Sequence, residues 1–160
     1  MTFWSICTTG TSASTALRSL RFEIAWIIFS EEQENIQEVT QTASTVEVIN
    51  QFNDAFNRHD IQAVMALMTE DCIFDNTYPP PDGEWFAGQE AVRHFWEEFF
   101  RSSPDAVFQS EEMFAHEDRC VIRWRYEWTN TDGSRGHVRG VDVLRVRDGK
   151  VAEKLAYVKG

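Results

Sequence analysis

The residue best suited to chemistry in this chain is an aspartate in an apolar setting. In the stretch RGVDVLRV (Arg139–Val146), strand periodicity puts Val138, Gly140, Asp142, Leu144 and Val146 on one face. A buried carboxylate without a partner is costly, so it finds a counter-ion, takes up a proton or stays at the surface. Two uses fit Asp142. It is a carboxyl in a dry pocket that donates to, or exchanges protons with, a ligand oxygen, or it is half of an ion pair whose purpose is structural. The partner within reach is Lys154, on the strand that follows the turn RDGK (Arg147–Lys150).

That hairpin has two allowed registers. A two-residue loop, Asp148-Gly149, sets Asp142 opposite Leu155 and crowds Lys154, Arg145, Arg147 and Lys150 onto one face. A three-residue loop, Arg147-Asp148-Gly149, pairs Asp142 with Lys154, Gly140 with Ala156 and Val138 with Val158, and leaves Glu153 close to Arg145. The second register matches the charges better and is the one expected. Lys154 then either neutralises Asp142 or binds an anionic group of a substrate.

Other reactive side chains form no recognisable centre. Cys7, Cys72 and Cys120 are widely spaced, no CxxC is present, and no His/Cys cluster has zinc-like spacing, so neither a metal nor a cofactor is expected. The thiols read as reduced, in a cytoplasmic protein. His59 and His94 read as surface residues, and His116 and His137 lie near strand ends. There is no Ser-His-Asp arrangement and no Gly-rich phosphate loop. Phe52, Trp96, Trp124 and Tyr126 line a pocket or fill a core, and Val158 shares the strand face of Lys154. The loop Tyr78–Trp85 reads as a lid, with Trp85 or Phe86 folding over an opening.

Composition narrows the partners. A formal net charge of −11 disfavours nucleic acid and anionic membranes, both of which need a basic surface. Twelve Phe and six Trp among 160 residues describe a folded chain with apolar interior to spare. The expected partner is a small molecule.

Positioning falls to two sets of elements. Residues 1–45 form an extension: a Ser/Thr-rich run, TTGTSAST, read as unstructured, then FEIAWIIF (Phe22–Phe29), too short to span a membrane and better read as a short packed helix. Residues 46–160 form the domain. Ile49, Phe52 and Phe56 recur at helical spacing and predict a helix over 46–58. Asp60 is a candidate N-cap for a second helix carrying Ile61, Val64, Met65 and Met68 on one side, and DCIFD (Asp71–Asp75) is a short strand. Gly88 opens a third helix with Val92, Phe95, Trp96 and Phe99 on one stripe. From Val107 the period becomes two, most clearly in Cys120, Ile122, Trp124, Tyr126 and Trp128, and four strands follow one another through short turns. Helices first and a meander after them make an α+β fold.

This order, with FNRHDIQAVMALMTEDCIFD, GQEAVRHFW and RGVDVLRVRDGKVAEKLAYV, resembles the nuclear transport factor 2 family, and within it the SnoaL-like polyketide cyclases and ketosteroid isomerases. The resemblance covers about Val46 to Gly160. It implies a cone: a curved antiparallel sheet wrapped around three helices, with a pocket at the open end. It implies a homodimer through the outer sheet face, here Val141, Val143, Leu155 and Tyr157 beside Arg139 and Arg145. It also implies cofactor-free acid–base chemistry on a small, partly apolar carbonyl compound, by isomerisation, cyclisation, dehydration or hydrolysis. Matched to the isomerases, Asp75 is the base and Asp142 the acid or oxyanion donor, with Lys154 tuning Asp142 or anchoring a substrate carboxylate. Where those enzymes place an oxyanion-binding tyrosine on the first helix, this chain has Phe52. The alternative is a ligand-binding or dimerisation module without catalysis.

Overall fold

The structure, a computed structural model, describes residues 13–159. Most of the Ser/Thr-rich run, and Cys7, lie outside them. The first element is one long helix, α1 (Ala13–Asn57). The chain divides into two compact units after Gln37. The first holds the early part of α1, where Ile24, Trp26, Ile27, Ile28 and Phe29 are all exposed. FEIAWIIF is thus part of a continuous helix, not a short one. No helix among the described residues is long and apolar enough to cross a membrane.

The second unit, from Glu38, carries the remaining elements: α2 (Ile61–Ala66), β1 (Met68–Asp75), β2 (Trp85–Ala87), α3 (Gln89–Ser102), β3 (Val107–His116), β4 (Arg119–Thr129), β5 (Arg135–Arg147) and β6 (Lys150–Val158). The end of α1 buries Val48, Ile49, Phe52, Ala55 and Phe56, the stripe that its spacing predicts. Thr42 and Thr45 bind it to the turn after β3: the Glu117 amide donates to Thr42 Oγ1 at 2.8 Å, and Thr45 Oγ1 donates to the Glu117 carbonyl at 2.6 Å. The corner after α1 uses His59 at φ 52°. Asp60 then caps α2, its carboxylate accepting from the Ala63 amide at 3.1 Å. His59 is half-buried, its ring stacking on Phe100 with centroids 4.6 Å apart. On α3, Val92, Trp96 and Phe100 are buried, and Phe95 and Phe99 half-buried.

The sheet has six strands in the order β2-β1-β6-β5-β4-β3. It curves around the helices as an open cone of α+β type. It is mixed, not wholly antiparallel: β1 runs parallel to β6, while the other four ladders are antiparallel. β2 begins at Trp85, the end of the stretch read as a loop, and its three residues pair with the end of β1.

The last hairpin follows neither expected register. Arg147 pairs with Lys150 around a two-residue turn, Asp148 at φ 52° and Gly149 at φ 70°, both left-handed as a tight hairpin requires. Val146 then pairs with Val151, but Arg145 with Glu153. Ala152 is the extra residue of a bulge, and Val151 and Ala152 are both buried as successive residues. Beyond it Asp142 faces Ala156, and Leu144 faces Lys154. The charges explain the choice. Without the bulge, Glu153 would turn inward and Lys154 outward, because a one-residue slip exchanges the faces. With it, Glu153 meets Arg145 at 3.3 Å and Arg119 at 2.9 Å on the outer face, and Lys154 turns toward Asp142.

Candidate functional site

Asp142 stands on the inner face of the central strand β5, between Ile122 of β4 and Ala156 of β6, and is 1 % exposed. Its Oδ2 accepts from Lys154 Nζ at 2.6 Å, and its Oδ1 has no hydrogen-bond partner among the described residues. Lys154 and Asp142 are diagonal neighbours, two residues apart in register, within reach of a long side chain. The remaining surroundings of the ammonium are aromatic: Nζ lies 5.3 Å from the Phe74 ring centroid and 5.8 Å from that of Trp96. Both distances suit cation–π attraction. Lys154 is itself only 7 % exposed.

Lys154 lines a cavity of about 110 Å³. Its walls are mostly rings, Phe56, Phe74, Phe95, Trp96, Phe99, Phe108, Trp124 and Tyr126, with Val138, Ala156 and Val158, and its remaining polar side chains are Asn76 and Thr77. The rings contact one another, as in Phe74–Trp96 at 4.5 Å and Phe99–Tyr126 at 5.4 Å between centroids. Trp124 packs against Gly140, its partner on β5; a Cβ there would lie 2.4 Å from the indole and 2.3 Å from the Tyr157 carbonyl. Burial pushes the Tyr126 phenol up to about 12, so it remains a neutral donor. Burial and then the charge of Asp142 push the Cys120 thiol up to about 11.

A larger concavity, about 580 Å³, lies on the outer sheet face against Arg123, Arg139, Val141 and Tyr157. Three of its charges are engaged with one another, Glu111 bridging Arg139 at 2.8 Å and Arg123 at 3.3 Å, and Lys159 also lines it. The smaller cavity is the better candidate because it encloses a buried cation in apolar walls, the usual make-up of a ligand site.

Of the residues singled out in the sequence, Asp142 and Lys154 come together, and Trp96, Trp124, Tyr126 and Val158 line the cavity beside Lys154. Phe52 is fully buried in the core and does not line it. Asp75 is not brought to the pair. Phe74 and Lys154 are partners on the inner face, so Asp75 and Leu155 face outward, and Asp75 borders a separate polar depression with Asp82 and Tyr157. His94, His116 and His137 are exposed and line no part of the cavity. The lid reading holds for Phe86 only as packing: its ring lies against Phe74 at 6.1 Å and Phe95 at 4.9 Å, while Trp85 is 58 % exposed. Phe74 is among the wall residues the sequence reading missed, with Phe56, Phe95, Phe99 and Phe108. Cys72 and Phe74, apolar two apart in DCIFD, were the signal that Asp75 faces the other way.

The SnoaL-like domain family matches residues 49–154, and the chain belongs to it. No functionally curated protein matches the chain. Among solved structures, it is similar to an NTF2-like protein of unknown function from Mesorhizobium loti, with 41 % identity over 75 % of this chain and 94 % of that one and a TM-score of 0.65. A Methylobium petroleophilum protein with a cystatin-like fold shares 18 % identity over 74 % of this chain and 78 % of its own, at TM-score 0.63. A Mycobacterium tuberculosis protein in complex with estradiol-17beta-hemisuccinate shares 22 % over 71 % and 92 %, at TM-score 0.62. The last two likenesses speak to fold alone. The domain is thus of the NTF2-like class, whose members bind small molecules.

Proposed function

We propose that this domain binds a small, partly apolar carbonyl compound in the aromatic cavity, the carbonyl oxygen accepting a hydrogen bond from Lys154. The observation that carries the reading is a lysine 7 % exposed on the wall of a cavity otherwise made of rings. An ion pair kept only for stability gives no advantage over apolar residues of the same volume. A pair whose cation also borders a cavity has a use that apolar residues cannot supply. Size guides the choice of ligand: about 150 Å³ admits benzene, so about 110 Å³ open on one side takes a short branched chain, or a single ring seated partly in its mouth.

Binding is measured by calorimetry and by tryptophan fluorescence, Trp96 and Trp124 being wall residues, against a panel of small ketones, aldehydes and amides. Saturable binding is expected, and its loss when Lys154→Met is combined with Asp142→Leu, which removes both charges together. Unchanged binding in that double variant would exclude Lys154 as the anchor.

A second reading, cofactor-free turnover of such a compound, also rests on Lys154. An ammonium among apolar walls stabilises an oxygen that gains negative charge, as in an enolate or a tetrahedral intermediate. Asp75 on the outer face does not support the base role carried over from the isomerases. Product formed from a bound compound, and lost in the double variant, is the check. The proposal also includes a homodimer through the outer sheet face and a cytoplasmic setting, the latter in keeping with the free thiols of Cys72 and Cys120.

A further inference from the structure

We propose that the cavity selects neutral hydrogen-bond acceptors over anions, and that Asp142, which does not line the cavity, sets this selection through Lys154. The inference rests on the ligand-binding reading above and names the ligand's charge class. Lys154 is the one charged side chain on the cavity wall among the described residues, and Asp142 at 2.6 Å already balances it. A ligand carboxylate would therefore add an uncompensated negative charge to an aromatic enclosure, which is strongly unfavourable. Asp142 also leaves Oδ1 without a donor, so its negative charge is only partly compensated by hydrogen bonding. A neutral carbonyl adds no charge. It takes up an N–H that Lys154 now directs at the faces of Phe74 and Trp96, and the pair remains intact. The earlier alternative, Lys154 as anchor for a substrate carboxylate, is thereby reversed. Asp142 is a specificity-determining residue here, not a catalytic one.

The test uses two isosteric pairs, isobutyramide with isobutyrate and benzamide with benzoate, titrated calorimetrically into the full chain near neutral pH. In the wild type each amide is expected to bind at least roughly tenfold more tightly than its carboxylate. Asp142→Asn keeps the shape and removes the charge, leaving a net positive cavity. Its amide-to-carboxylate ratio should fall about tenfold or invert. Asp142→Thr serves as the neutral variant if the Asn protein does not fold, folding being checked by circular dichroism. Equal wild-type affinities for amide and carboxylate overturn the proposal, as does an unchanged ratio in a folded neutral variant. Failure of every compound, here and in the broader panel, instead overturns the ligand-binding reading itself.

Discussion

At the scale of single residues, the Asp142–Lys154 pair is both a stability element and a liability. Two charges taken out of water are held at 2.6 Å, with one carboxylate oxygen left over. Removing one partner strands the other, a loss of about 3–5 kcal/mol, whereas removing both together is often nearly neutral. Lys154→Met alone should therefore lower the unfolding free energy by about 3–5 kcal/mol. Adding Asp142→Leu should restore most of that loss. Urea unfolding of the two single variants and the double variant gives the coupling directly; a double variant as unstable as the sum of the singles would show that the pair does not act as a unit. Gly140 belongs to this scale as well. It is the absence of a side chain that lets the Trp124 ring lie on β5 and form the cavity wall.

At the scale of elements, β1 and β4 each bury a thiol, Cys72 and Cys120, whose ordinary value of 9.0 burial raises to about 11. The folded state thus holds these protons more tightly than the unfolded chain. The thiol contribution to stability is complete below about pH 9 and is lost as pH rises toward about 11. Urea midpoints measured at about pH 8 and about pH 10.5 should fall between the two, and Cys72→Ala with Cys120→Ala should flatten the decline. A slope unchanged by the double substitution would assign the alkaline loss elsewhere, as to Tyr126, whose phenol burial also raises, to about 12. How much of these elements was legible follows from what fixes them. The α3 stripe and the alternation on β4 are local periodicities, and both are present as read. The contact between Asp142 and Lys154 was legible from charge matching, but the device that makes it was not. Nothing within Val151-Ala152-Glu153 marks a bulge; only the positions of Asp142, Arg119 and Arg145 on other strands select it. Asp75 was misplaced for a related reason, since its facing depends on pairing with β6. The start of α1 escaped because its Ser/Thr-rich run reads as unstructured, although Leu17, Leu20, Ile24, Ile27 and Ile28 beyond it recur at helical spacing.

At the scale of the whole molecule, the outer sheet face is the feature to test. Val121, Val143 and Leu155 form one row across β4, β5 and β6, and Arg123, Val141 and Tyr157 form the next. Salt bridges surround them: Arg139 with Glu111, Arg123 with Glu111 and Glu112, and Arg145 with Asp118 and Glu153. An apolar centre with a charged rim is the anatomy of a protein interface. A homodimer formed here should dissociate when Val143→Glu places a carboxylate in that centre. Sedimentation velocity should show a dimer for the wild type and a monomer for the variant, with circular dichroism unchanged. A wild-type monomer at high concentration, or a dimeric variant, would remove this face as the contact. Either result leaves the cavity in place, because its walls come from the opposite face of the same strands.

The bulge at Ala152 has a consequence beyond register. A strand displays its residues in two alternating frames, one to the interior and one to solvent, and a spare residue switches between them. Before Ala152 the interior reads Val151; after it, the interior reads Lys154 and Ala156, while Glu153 and Leu155 go to the outside. In the other frame the interior would read Glu153 and Leu155, placing a second carboxylate near Asp142 and no cation at all. The cavity's electrical character is therefore written in phase as much as in composition. In a chain of this kind, one inserted or deleted residue upstream of the lysine can exchange a balanced polar site for an acidic one without a single substitution in its walls.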